Sequence, residues 1–456
     1  MPDPFRDTKP SPPGASSASA RNERPLVLFM AAYFFLVITV FWVLKPIKKA
    51  AFLRFYTNRP CVVPGFSSIT SSVLDGAQAE LLAKVLNIVV AIAAAGVFSR
   101  LARQLHRERL TYVFGALFVL AFSGLAHVFD PSSAVFVWGF YLFGDLFNML
   151  MVATFFAHLN DIVSPEVARR SYAFVVLGGV LGGVFGSTVV KACISVLPTS
   201  VWLLLCALCT LAIVGLGAAA SRLRIGTARD AADDSSIVPV TAPVRVGFSG
   251  AHVVLGSRYL SSIAGIVAIY EVVSTVLDFQ FSTTVSHYLQ GAAIGEQLAT
   301  VFLVTNVVSL CVQLLGTRFV MERLGVRAAL SVLPFAVLVV ASGFALMPLL
   351  WVGSSLSIAD NALNYSVNQS ARESLYVPAS SREKYQAKAF IDIVVQRAAK
   401  AFGVMLSLGM SMWFAGDLGS VRSLSLIVVG LSVVWLLIAR YAGSRFEELS
   451  TPQTSA

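Results

Sequence analysis

The chain has 456 residues, 57% of them hydrophobic and only 13% charged, with a formal net charge of +10. Soluble domains carry about a quarter charged residues, so roughly half that share excludes an ordinary cytosolic enzyme. The abundance of Leu, Val and Phe excludes a disordered chain. What remains is an all-α polytopic membrane protein.

A bilayer core needs about 20 apolar residues in a helix. Read at that length, the sequence predicts twelve spans: 26–45, 80–99, 110–129, 133–158, 171–195, 200–220, 259–284, 296–317, 328–351, 354–377, 386–412 and 423–442. These runs are too long and continuous for barrel strands. Residues 1–25 are rich in Pro, Ser and Ala and read as a disordered cytoplasmic tail. The first span is retained as a helix, since no small-residue cleavage site follows it. The tenth, SIADNALNYSVNQSARESLYV, is polar for a span.

The remaining organisation is two six-helix halves, 26–220 and 259–445, a cytoplasmic linker at 221–258 and a short tail at 446–456. Such a duplication suggests a pseudo-symmetric carrier with its site between the halves. In span 5, Gly178, Gly182 and Gly186, with Gly179 and Gly183 beside them, recur at four-residue spacing, a pattern that lets helices approach closely.

Lys and Arg set the expected topology. Arg100, Arg103, Arg107 and Arg109, then Arg169 and Arg170, then Arg222 to Arg258, Arg318 to Arg327, Arg382 to Lys388, and Arg440 and Arg445 all fall in loops or ends on one side. The opposite loops HVFDPSSA, VLPTS, SHYLQGAAIGE and WVGSS hold none. By the positive-inside rule both termini are cytoplasmic, in a bacterial inner membrane. The net charge therefore belongs to the membrane face and names no nucleic-acid partner. One segment departs: LKPIKKAAFLRFYTNR places Lys45, Lys48, Lys49, Arg54 and Arg59 at the far end of span 1. They read either as anchors reaching the outer interface, or as an anion-binding mouth with Pro46 breaking the helix to turn the lysines inward.

Five cysteines (Cys61, Cys193, Cys206, Cys209, Cys311) are odd in number, and the Cys206–Cys209 pair sits in an apolar run, where thiols act as small packing groups. The five histidines show no metal-ligand spacing, so neither metal nor cofactor is expected. Ionisable groups at membrane depth are costly and mark functional sites. Lys84, Asp145, Lys191, Glu271 and Asp278 stand inside spans, the last two seven residues apart on one helical face. Span 10 places Asp360, Asn364, Asn368 and Arg372 at intervals of four, and span 11 repeats this with Lys388, Asp392, Gln396 and Lys400, with Arg397 close by. The stripes read as walls of an aqueous path, or as ion pairs holding helices together, for instance Lys388 with Asp392. An excess of basic groups favours a small anionic substrate, and lysine suits phosphate as a point charge. No GxxxxGK[ST] loop is present to hydrolyse ATP. Exchange or an ion gradient would drive transport, with Asp145, Glu271, Asp278 and Asp360 as candidate proton carriers.

The stretch NYSVNQSARESLYVPASSREKYQAKAFIDIVVQRAAKAFG (364–403) resembles the signature of the ATP/ADP translocase family of plastids and obligate intracellular bacteria. Tyr365, Arg372, Glu373, Tyr376, Pro378, Lys384, Lys388, Ile391, Asp392 and Lys400 fall at matching places. Span 1 is similar too, at Leu44–Lys49. The resemblance implies a twelve-helix fold like that of the major facilitator superfamily, a monomer, and exchange of nucleotides by alternating access rather than enzymatic turnover. It implies that Lys48 and Lys400 bind substrate; from their place at membrane depth, Lys45, Arg372, Arg397, Asn364 and Asn368 are expected to help them. Asp145 takes the place of a glutamate in span 4, and Ser274 that of one in span 7, with Glu271 and Asp278 a turn to either side. The closing Gly-Lys-Ser-Gly-Gly of the signature is Ala399, Lys400, Ala401, Phe402 and Gly403 here. The alternative function is a proton-coupled carrier of another anionic metabolite, such as a siderophore or organic acid. Asp145, Glu271, Asp278, Asp360 and Asp392 are the candidates for coupling or ion pairing.

Overall fold

The computed structural model describes residues 15–56, 75–105, 107–128, 130–163, 165–223, 245–316, 319–413 and 418–450. Most of the expected N-terminal tail, residues 224–244 of the expected linker, Arg59, Cys61, Arg318 and residues 451–456 lie outside them. The described chain is helical, without strands, as a backbone that must satisfy its own polar groups in lipid requires.

The first half contains α1 (Ala15–Tyr56), α2 (Gly76–Gln104), α3 (Arg107–Val128), α4 (Ala134–Ile162), α5 (Pro165–Cys193) and α6 (Thr199–Arg222). A twelve-residue helix, α7 (Arg245–Gly256), occupies the end of the interval expected as linker and is too short to cross a bilayer. The second half contains α8 (Arg258–Tyr288), α9 (Ala292–Cys311), α10 (Gly325–Leu346), α11, α12 and α13 (Leu418–Ser450). Helix α11 is built from Leu350–Leu363, a π-helical turn at Asn364–Asn368 and Gln369–Ser374. Helix α12 joins Ser381–Phe390 to Gln396–Trp413 through a π-helical turn at Ile391–Val395.

Ten described helices are long and apolar enough to cross a membrane. The polar, interrupted α11 and α12 complete a set of twelve. Boundaries follow local chemistry. Asp75 caps α2, accepting from the Gln78 backbone N–H at 2.7 Å, while the Gln78 side chain accepts from the Asp75 N–H. Gly291 (φ 55°) and Gly325 (φ 80°) supply left-handed residues at the starts of α9 and α10.

Each half has its own core. Tyr33, Phe118, Phe147 and Phe155 centre the first, and Phe279, Phe344 and Trp435 the second. Helix α1 is the spine of the first half and packs along α5. A Cβ added at Gly178 or Gly186 would lie 2.6 or 2.7 Å from the carbonyl oxygen of Ala31 or Thr39, and Gly182 faces Phe35 in the same way. The four-residue glycine pattern is thus the α1–α5 contact.

Two expectations about α1 are corrected. Pro46 lies inside the helix, which continues to Tyr56. Its ring removes one N–H bond to the carbonyl four residues back, a loss that packed membrane helices tolerate. Nor are the lysines interfacial anchors: Lys48 and Lys49 are only 6% and 5% exposed. At i, i+3 and i+4, Lys45, Lys48 and Lys49 share a face that points into the protein.

The halves meet at one end of the bundle, where the arginine-poor loops lie. Trp42 and Leu53 of α1 share an apolar cluster there with Phe281 of α8 and Leu298 and Phe302 of α9. Gln78 of α2 donates to Ser411 of α12 at 2.7 Å, and Arg54 donates to the Ala292 carbonyl at 3.0 Å.

Candidate functional site

Below this seal, counting toward the arginine-rich ends, α1, α2, α8, α9, α11 and α12 surround a cavity of about 350 Å³. Its charged lining is Lys45, Lys84, Arg372 and Lys400 against Glu271, Asp278 and Asp360. Tyr270, Phe302 and Tyr365 add aromatic surface, and Asn361, Asn364 and Gln396 add amides.

The roof of the cavity is a network of four charges between the halves, with Lys49 and Glu80 buried and Lys84 and Asp278 half-buried. Lys49 donates to Asp278 at 2.7 Å and lies 3.1 Å from Glu80. Lys84 also bonds Asp278 and lies 3.9 Å from Glu80, one turn before it on α2. Glu80 further accepts from Tyr141 at 3.1 Å and Ser282 at 2.8 Å. Two cations therefore balance two carboxylates, with the remaining lone pairs satisfied, as charges removed from water require. Only Asp278 and Ser282 come from the second half.

Lys48 turns the other way. It is bonded to Asp145 of α4, stands 4.7 Å over the Tyr141 ring, and leaves Asp145 a second donor in Asn87 at 2.6 Å. A Cβ at Gly144 would come within 2.9 Å of the Lys48 side chain, so the glycine makes room for it. Lys48 does not line the cavity.

The remaining cavity cations are held differently. Lys45 lies 4.5 Å from the Trp42 ring, 4.8 Å from Phe302 and 3.5 Å from Asn361 Oδ1, a cage of π faces and one amide. Among the described residues, Lys45, Arg372 and Lys400 make no ion pair. Glu271 accepts from the neutral Gln396 at 2.6 Å, and Asp360 from Ser274 at 2.6 Å. Three cations thus face the cavity without carboxylate partners, an arrangement disposed to receive a polyanion.

Of the residues singled out in the sequence, Lys45, Lys84, Glu271, Ser274, Asp278, Asp360, Asn364, Tyr365, Arg372, Gln396 and Lys400 line this one cavity. Lys48 and Asp145 form the adjacent pair. Asn368 is 1% exposed and donates to Asn364 at 3.0 Å; Arg397 reaches the Ile88 carbonyl at 3.5 Å; Asp392 is outside the lining. The expected Lys388–Asp392 pair is replaced by Lys388 with Glu373, at 2.6 Å. The cause is the π-helical turns. Each inserts a residue and rotates the remainder of its helix by about 100°. The stripes survive in part: Asp360, Asn364 and Arg372 of α11 and Gln396 and Lys400 of α12 still reach the cavity, while Asn368 is buried against Asn364 and Asp392 lies outside the lining. Glu80, Asn87, Asn361 and Phe302 were not anticipated. The capping pair Asp75 and Gln78 signals that α2 starts early enough to bring Glu80 inside it.

Two packed six-helix halves around a charged cavity form a fold like that of major-facilitator carriers of known structure. The solved structure of the nucleoside transporter NupG overlays 93% of this chain and all of its own at a TM-score of 0.63 with 14% identity. The E. coli fucose:proton symporter FucP overlays 92% of this chain at 0.50.

In sequence, the TLC ATP/ADP transporter family profile matches residues 341–446. A plastidic ATP/ADP-transporter of Solanum tuberosum is 20% identical over 494 residues, covering 95% of this chain and 78% of that protein. The ADP,ATP carrier protein 2 of Chlamydia pneumoniae is 23% identical over 42% of this chain and 39% of its own length. A chloroplastic ADP,ATP carrier protein 2 of Arabidopsis thaliana is 28% identical over 26% of this chain and 20% of its own length. Matches to the latter two thus span well under half of those carriers. The chain is thus similar to ATP/ADP transporters, most clearly over residues 341–446 and at low identity along most of its length.

Proposed function

We propose that this chain is a secondary transporter that exchanges nucleotides of the ATP/ADP type across a bacterial inner membrane by alternating access. The observation that carries the reading is the set Lys45, Arg372 and Lys400, facing one cavity between the halves without carboxylate partners. A phosphate chain supplies the missing negative charge, and the rings of Tyr270, Phe302 and Tyr365 offer surfaces on which a base stacks. Lys48 with Asp145 is an internal pair beside the site. The halves 26–220 and 259–445 rock about it, joined through 221–258, and the protein works as a monomer. The conformation closed at the arginine-poor end supports a cavity open to the cytoplasm, with both termini on that side. The relatives' names specify ADP and ATP, which supports a nucleotide over a siderophore or organic acid.

The test is uptake of labelled ATP and ADP by bacterial cells expressing the chain, with unlabelled nucleotide inside and outside. Saturable uptake that releases internal nucleotide is expected. Silence from cells in which the protein is shown to be inserted overturns the assignment. Orientation has its own check. With native cysteines replaced by Ser, Gln290→Cys in the α8–α9 turn is expected to react with an impermeant maleimide from outside intact cells. Reaction only in inverted vesicles reverses the topology.

A further inference from the structure

We propose that Asp360 is a proton-binding site in the cavity wall, holding one proton as a neutral carboxylic acid while the anionic substrate is bound. Asp360 is 3% exposed and midway along α11. One carboxyl oxygen accepts from Ser274 at 2.6 Å; the other, Oδ1, has no hydrogen-bond partner. No cation lies within ion-pair distance among the described residues. A carboxylate stripped of water, with one oxygen left bare, is an expensive species, and protonation is the cheapest relief. Asp278 has the same side chain and lies one turn from Ser274 on α8, yet it contacts both Lys49 and Lys84. The two acids are thus held for opposite tasks.

The groups facing Asp360 reinforce this. Helix α8 presents Glu271, Asp278 and the Tyr270 phenol, two of them anionic; α1 presents Lys45, across the cavity and held by Trp42 and Phe302. On its own helix Tyr365 is the nearest phenol, and α12 brings Gln396 and Lys400 to the cavity. Helix α9 lines the cavity only with Phe302, and α10 adds nothing to the lining.

The consequence is a charge count that changes by one. With Asp360 ionised, the cations Lys45, Arg372 and Lys400 oppose two carboxylates, Asp360 and Glu271. With Asp360 protonated they oppose Glu271 alone, and the cavity favours a polyanion more strongly. Proton and substrate therefore bind with positive coupling, and by reciprocity each raises the affinity for the other. The proton enters the carboxylate from cavity water, is held less tightly once the substrate has left, and is then lost to whichever side has the higher pH. A pH gradient then drives the anion along with it.

Two measurements test this, and only the second rests on the nucleotide reading. The first is infrared titration of purified protein without substrate. The wild type is expected to show the carbonyl stretch of a neutral carboxylic acid at neutral pH, and Asp360→Asn to lack it. Ser274→Ala removes a donor that favours the ionised form, so the same band is expected to persist to higher pH. A wild type without the band, a band unchanged in Asp360→Asn, or an unmoved midpoint in Ser274→Ala overturns the site. The second is uptake of labelled ATP into proteoliposomes. An acid outside pH is expected to raise accumulation at least several-fold in the wild type, and the response is expected to vanish in Asp360→Asn. Nucleotide exchange with no band and no pH response overturns the proton site and leaves the carrier. The band without any nucleotide movement keeps the proton site and overturns the nucleotide assignment.

Discussion

Asp278→Asn is expected to lower stability by about 1.5–3 kcal/mol, because a half-buried carboxylate that holds two charge-assisted bonds is lost and its partners remain. Lys49 and Lys84 would then share Glu80 alone, leaving one uncompensated positive charge at the roof of the cavity. The double variant Lys84→Gln/Asp278→Asn restores the balance, with Lys49 opposite Glu80, and is expected to recover at least half of the loss. Thermal unfolding of the purified protein in detergent, read for both singles and the double, measures the coupling. Additive losses would show that the four groups do not act as one network.

Lys400→Gln is expected to bring labelled ATP and ADP uptake close to background while the protein still inserts in the membrane. The side chain faces the cavity and makes no ion pair among the described residues, so its charge is available to substrate. A charge-assisted contact contributes about 1.5–3 kcal/mol, which corresponds to roughly 10- to 150-fold in affinity. Lys400→Arg keeps the charge and is expected to retain part of the activity. Wild-type rates in Lys400→Gln would remove the residue from the site.

Much of the fold is legible from hydropathy alone, because twelve long helices leave twelve regions to find. What sequence alone misplaces are the details that depend on neighbours. Helix α1 reads as ending near residue 45 because three lysines and a proline crowd that point; in the fold, Asp145, Glu80 and Asp278 receive two of those lysines and aromatic rings the third. A partner 229 residues away, as between Lys49 and Asp278, has no local signature. The short helix Arg245–Gly256 is hidden because Gly247, Gly250 and Gly256 break up a short apolar run at the end of a polar connection that looks like a tether. The π-helical turns at 364–368 and 391–395 are hidden because their sequences are ordinary helical ones, and nothing in the sequence separates Asn368 and Asp392, which do not line the cavity, from Asn364 and Lys400, which do. Lys45, Glu271, Asp278, Asp360 and Lys400 can each be singled out beforehand because membrane-embedded charge is rare enough to mark itself; that they line one cavity is seen only in the fold.

The glycine contact between α1 and α5 has a property beyond closeness. Gly178, Gly182 and Gly186 meet Ala31, Phe35 and Thr39, so both surfaces repeat with the same interval of four residues. A vernier whose two scales share one spacing matches at more than one setting. Sliding α5 along α1 by four residues, about 6 Å, carries two of the three glycines onto carbonyls already shaped to accept them. Between the settings, Ala31, Phe35 and Thr39 meet the wider residues between the glycines. The contact thus sets the axial register of the spine that carries Lys45, Lys48 and Lys49, because only a shift by whole four-residue steps restores the fit.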